Sequence, residues 1–163
     1  MAGPERQGRS NPVAGARLAA NFLAKPNGSR DPVLELGGWD TNFGQAARLT
    51  GQLRQLDAVI AALHDNLAAV WRDTVIVVAT KFGRTAVVDG TGGTDHGTGG
   101  AAILVGGAVE GGRVVADWPG LAPGQRNDGR DQRPTTDLRA VFAGAEHFGG
   151  VSTIKPLLGL VRV

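Results

Sequence analysis

At 163 residues the chain is long enough for one domain with a real core and too short to expect two. Apolar residues make up 42% of it and charged residues 20%, close to the soluble globular average, which argues against disordered and membrane-embedded classes. The net charge is only +2, no stretch clusters Lys and Arg, and Cys is absent, so nucleic acid is not an expected partner and disulfides, thiolate catalysis and Cys-ligated zinc are excluded.

The N-terminus, "MAGPERQGRSNPVAG", has neither an apolar signal core nor paired arginines, and no export signal is read in it. Asn11-Pro12 is a cap and first-turn pair that predicts a helix through Val13, Leu18, Phe22 and Leu23. The loop "PNGSRDP" leads to an expected strand, Val33 to Leu36, which delivers Gly37-Gly38-Trp39-Asp40. From Gln45 to Trp71 the spacing of Leu49, Leu53, Leu56, Ile60, Leu63 and Leu67 predicts a long amphipathic helix. "DTVIVVAT" reads as a strand buried on both faces of a parallel sheet, so strand, helix and strand make a right-handed βαβ unit. Glycines crowd residues 83 to 112, without a repeat, and read as ordered turns where backbone comes close to something. Ala101 to Val105 is a third expected strand and Arg113 to Ala116 a fourth. Thr135 or Thr136 is expected to cap a last helix, "DLRAVFAGAEHFG". The expected fold is α/β, a mainly parallel sheet with flanking helices.

In such sheets ligands bind beyond the carboxyl ends of the strands. Three polar groups would converge there: Asp40, the run Lys81 to Thr85, and Thr94-Asp95-His96-Gly97. Asp40 and Asp95 are oxygen ligands or bases, His96 a nitrogen ligand or general base, and Arg84 a fork suited to phosphate or sulfate. Each has a structural alternative. Asp40 can cap the long helix, Trp39 can pack under its loop, and Arg84 can pair with Asp89 or Asp95. His64 and His147 read as structural, and "WPGL" at Trp118 to Leu121 as a turn with a hydrophobic anchor. "GTGGTDHGTGG" lacks the Lys-Ser/Thr of a P-loop, which counts against nucleotide binding.

The blocks "LGGWDTNFGQ", "DTVIVVATKFGRT", "GGTDHGTGGAAILVGGAVEGGRVVADWPGL" and "RPTTDLRAVFAGAEHFG" resemble, in order, the C-terminal blocks of the bacterial family known as domain of unknown function 1501. The resemblance runs from about Val33 to Val163. It implies a single domain over residues 1–163 that is similar to the C-terminal half of a larger alkaline-phosphatase- or sulfatase-like domain. It also implies a divalent metal, zinc or manganese, and export through the twin-arginine route. Carried over by position, the implied metal ligands are Asp40, Asp95 and His96, while the candidate catalytic residues, Arg84 and His96, come from the chemistry of their side chains. Two positions depart from the family pattern. Its first motif ends Asp-Thr-His, where this chain has Asn42, and a ligand Glu is replaced by Lys81, whose ammonium repels a metal and offers no lone pair.

Nothing before Val33 resembles a strand followed by the superfamily's Ser or Thr nucleophile; Ser10 and Ser29 stand in loop or cap contexts. The expectation is therefore a degenerate, non-catalytic domain whose metal is lost. In this reading Lys81 pairs with Asp40 in place of the cation, and the partners are a second copy or a complementary N-terminal half, with no membrane. The alternative is metal-dependent hydrolysis of phosphate or sulfate esters by Asp40, Asp95, His96 and Arg84.

Overall fold

The structure is a computed structural model of the chain and describes residues 11–28 and 30–148, with the backbone alone for 146–148. Ser10, Ser29 and the side chain of His147 lie outside the described residues.

Helix α1 spans Pro12–Leu23. Its cap is the expected one: Asn11 Oδ1 accepts the amides of Val13 at 3.1 Å and Ala14 at 3.4 Å, and Pro12 occupies the first turn, where a missing N–H costs nothing. Helix α2 spans Gln45–Asn66 and presents Leu56, Val59, Ala62 and Leu63 to the interior. It ends before the expected Trp71, because Leu67 closes it and the chain turns through a short 3-10 segment, Trp71–Asp73. The two helices make the core. Ala16, Ala19 and Ala20 of α1 pack on Val59, Ala62, Leu63 and Leu67, with Val13, Leu23, Leu36, Val70, Trp71 and Ile76 around them.

Strand β1, Ile76–Ala79, and strand β4, Ala102–Val105, form one two-stranded sheet. Between them β2, Gly83–Arg84, and β3, His96–Gly97, form a second. Both pairs are antiparallel, with Ile76 opposite Val105 and Arg84 opposite His96. The α/β class is therefore found, with helices beside small sheets, and the mainly parallel sheet is not. The reason lies in the connection: residues 80–101 carry no crossover helix and double back as a hairpin, so β4 returns against β1. Val33–Leu36 enters no ladder, which removes the first strand of the expected βαβ unit, and Arg113–Ala116 enters none either. β1 is half-buried and not enclosed on both faces.

Helix α3, Leu138–Phe148, packs against β4. Its cap is Asp137, not Thr135 or Thr136: the Asp137 carboxylate accepts the Arg139 amide at 2.8 Å and the same side chain chelates the Arg139 guanidinium. That guanidinium is the main reason the Asp137 carboxyl is held down to about 2. Among the described residues no helix is long and apolar enough to cross a membrane.

Candidate functional site

The β2–β3 hairpin puts Arg84 and His96 directly opposite one another, on a ladder only two residues long. Each then reaches across to the segment Trp39–Asn42. Arg84 Nη2 donates to the Trp39 carbonyl at 2.6 Å and to Asp40 Oδ1 at 3.0 Å. Its Nη1 donates to Asn42 Oδ1 and to the Thr94 carbonyl, both at 2.7 Å. His96 Nε2 lies 2.9 Å from the same Asp40 oxygen. The Phe82 ring stacks on the His96 imidazole, 4.1 Å between centroids at 18°, and the Arg84 guanidinium lies 5.0 Å from that ring. Arg84 is the half-buried member, its side chain 18% exposed, while Asp40 and His96 are each more than half exposed. The His96 hydrogen bond first, and the Arg84 one second, hold the Asp40 carboxyl below its ordinary range.

The Gly-rich loop completes the arrangement by docking on the start of α2. Asp89 draws the loop together, accepting from the Thr91 amide at 2.8 Å, the Thr91 hydroxyl at 2.6 Å and the Gly93 amide at 3.1 Å. The Thr91 hydroxyl and the two amides keep the Asp89 carboxyl below its ordinary value. The carbonyls of Thr91 and Gly92 then accept the amides of Gly44 and Gln45. These are donors that the first turn of a helix cannot satisfy by itself. The α2 cap is Gly44, in the left-handed region at φ 54°, with no side-chain cap, so Asp40 is free of the capping role. Thr94, 5% exposed, ties its amide to the Thr41 carbonyl and its hydroxyl to Gln45 Oε1 at 2.8 Å. A Cβ on Gly93 would fall on the Asn42 carbonyl, which is why the loop is glycine there.

A second anchor is Asp131, 4% exposed. Its Oδ2 accepts the amides of Thr98 and Gly99, and Oδ1 faces Asn127 Nδ2 at 3.5 Å. Burial pushes its carboxyl upward, and those amide donors outweigh burial and leave it below the ordinary value. Cβ atoms on Gly83 and Gly99 would strike the carbonyls of Gly99 and Gln132 respectively, so these backbones lie in direct contact.

The structure therefore brings Asp40, Asn42, Arg84 and His96 together and separates them from Asp95. Adjacent residues on a strand point to opposite faces, and Asp95 lines a shallow hollow of about 280 Å³ with Thr85, Val87, Val88, Asp89 and Arg130. Lys81 is exposed, 5.8 Å from the Phe82 ring, and it makes no ion pair among the described residues. The expected Lys81–Asp40 pair is replaced by Arg84–Asp40. Arg84 bonds to neither Asp89 nor Asp95. His64 stands edge-on to Trp71 at 4.8 Å, a packing role, and Trp118 is 58% exposed, not an anchor.

Thr41, Thr91, Thr94 and Asp131 hold the site, and sequence reasoning gave none of them that role. Only Asp131 left a signal, the Asp-Gly turn at Asp128-Gly129 that folds it back on Asn127. Among the described residues no three His, Cys, Asp or Glu side chains cluster as a metal site would require.

Residues 1–142 match the family described as "Protein of unknown function (DUF1501)". The match starts at residue 1 and not near Val33, so α1 and the extended segment lie inside it and the tail after residue 142 does not. No curated protein and no solved structure matches the chain.

Proposed function

Since this chain belongs to the DUF1501 family, we propose that it is a non-catalytic member of that family, descended from an alkaline-phosphatase- or sulfatase-like domain. In this reading the metal is lost through the two departures, Asn42 and Lys81, and the retained Arg84 holds the former ligand segment together. The observation that carries the reading is Arg84, whose two terminal nitrogens engage both Asp40 Oδ1 and Asn42 Oδ1 at 2.7–3.0 Å.

Asp40, Asn42 and His96 fall at positions that the family pattern gives to ligands of a cation. The residues as arranged do not fit a divalent ion. Asp40 Oδ1 faces a guanidinium and an imidazole, Asn42 offers a neutral amide, Asp95 lines another hollow, and the Lys81 ammonium lies 5.8 Å from the Phe82 ring that stacks on His96. With Asn42 where the family pattern has a His and Lys81 where it has a Glu, a divalent ion at Asp40 would lack two ligands and meet an added positive charge. The cluster instead clamps two segments, Trp39–Asn42 and the Gly-rich loop, onto the β2–β3 hairpin.

One observation favours hydrolysis as a second reading: Asp40 orients an exposed His96 through a 2.9 Å contact, the geometry by which a carboxylate positions a general base. Turnover of phosphate monoester, phosphate diester and sulfate ester substrates with added zinc or manganese separates the two readings. The non-catalytic reading predicts a rate at the buffer baseline for every ester class. Turnover that His96→Ala abolishes while the fold is retained would establish the hydrolase.

A further inference from the structure

We propose that residues Arg113–Asp117 are an interface between two copies of this chain, formed by antiparallel pairing about a two-fold axis at Val115. From Arg113 to Gly120 the backbone runs without a turn or bend, bounded by the left-handed glycines Gly112 at φ 76° and Gly120 at φ 88°. Among the described residues, none of the amides or carbonyls of Arg113–Asp117 takes part in a backbone hydrogen bond. Val114 is 92% exposed and Val115 89%, and Trp118 and Leu121 beside them are also exposed. A β-branched, unbent segment with open backbone groups is the template on which another strand adds.

The sequence of the segment specifies which strand. In "RVVAD" the charges are opposite at the two ends, and antiparallel pairing of the segment with itself about Val115 places Arg113 of each copy opposite Asp117 of the other. Val114 then meets Ala116, and Val115 meets its own counterpart. Both cross-strand ion pairs and the Val115 contact lie on one face, since residues 113, 115 and 117 share it. Such a contact is isologous, so it closes at two copies and does not propagate into a fibre. The only ion pair Arg113 makes among the described residues is a 3.9 Å exposed contact with Glu110, which exchange for Asp117 gives up at little cost. A five-residue pairing buries less than about 1,200 Å², which places the dimer in the weak, transient class.

Sedimentation equilibrium on the whole chain, from micromolar to millimolar concentration, tests the pairing. The mass is expected to rise from 16.8 kDa towards twice that value. Arg113→Asp and Asp117→Arg each set like charges face to face twice, and each is expected to weaken the dimer about tenfold or more. An equimolar mixture of the two variants restores opposite charges at both pairs and is expected to recover association as a heterodimer. Both positions are exposed, and unchanged circular dichroism confirms that the variants fold. The proposal is overturned by a wild type that stays monomeric at millimolar concentration, as when another segment covers these residues. Single variants that associate like the wild type, or a mixture that does not recover, would equally overturn it.

Discussion

Arg84 is the residue on which the candidate site turns, because one planar side chain satisfies two backbone carbonyls and two side-chain oxygens from segments far apart in sequence. Only a guanidinium presents donors in a fork of that width, and an ammonium cannot reach all four. Arg84→Ala is therefore expected to cost about 2–4 kcal/mol in thermal or urea unfolding, with Arg84→Lys recovering less than half. Asp131 acts differently, as a buried acceptor. Replacing it with Asn is expected to cost about 1–3 kcal/mol, because the new amide sets one donor against Asn127 Nδ2. Asp40, Asp89, Asp131 and Asp137 all have carboxyls held below the ordinary value of 3.8. A depressed folded-state value contributes stability that is fully present above the unfolded value and is lost as pH falls through the folded one. The unfolding midpoint is thus expected to be flat above about pH 5 and to fall towards about pH 2, with a shallower fall in Asp131→Asn. Little of this was legible in the sequence. Asp40, Asn42, Arg84 and His96 stood out as polar groups at loop positions, but which of them touch depends on a hairpin register that no local pattern specifies.

At the scale of elements, what was legible is what is local. The α1 cap is written in two adjacent residues, and α2 in a leucine period that any core would select. β1 and β4 could be read from their β-branched runs, yet their direction could not, because parallel or antiparallel is settled by the connection and not by the strand. The run Val33–Leu36 has the composition of a strand and no partner, so composition alone misassigned it. The α1–α2 contact depends on small residues: Ala16 and Ala20 are wholly buried, and larger side chains would drive the helices apart. Ala20→Leu is accordingly expected to destabilise the chain by about 1–3 kcal/mol, although Leu is an equally apolar helix former. A calorimetric midpoint equal to that of the wild type would show that this interface is loosely packed.

For the molecule as a whole, the family match fixes kinship and leaves activity to the site, where Arg84 engages Asp40 and the proposed reading has no metal. On that account a metal has nothing to gain at Asp40 until the ligand at position 42 is supplied and the Lys81 charge removed. The most direct measurement is the zinc-dependent shift in thermal unfolding of the wild type beside an Asn42→His, Lys81→Glu double variant. A ligand present at a hundredfold its dissociation constant stabilises a fold by about 2.7 kcal/mol, well above the resolution of the method. The account predicts no shift for the wild type and a saturable upward shift for the double variant. Saturable stabilisation of the wild type itself, with one zinc retained per chain after dialysis, would contradict it and show that Asn42 and Lys81 do not abolish the site.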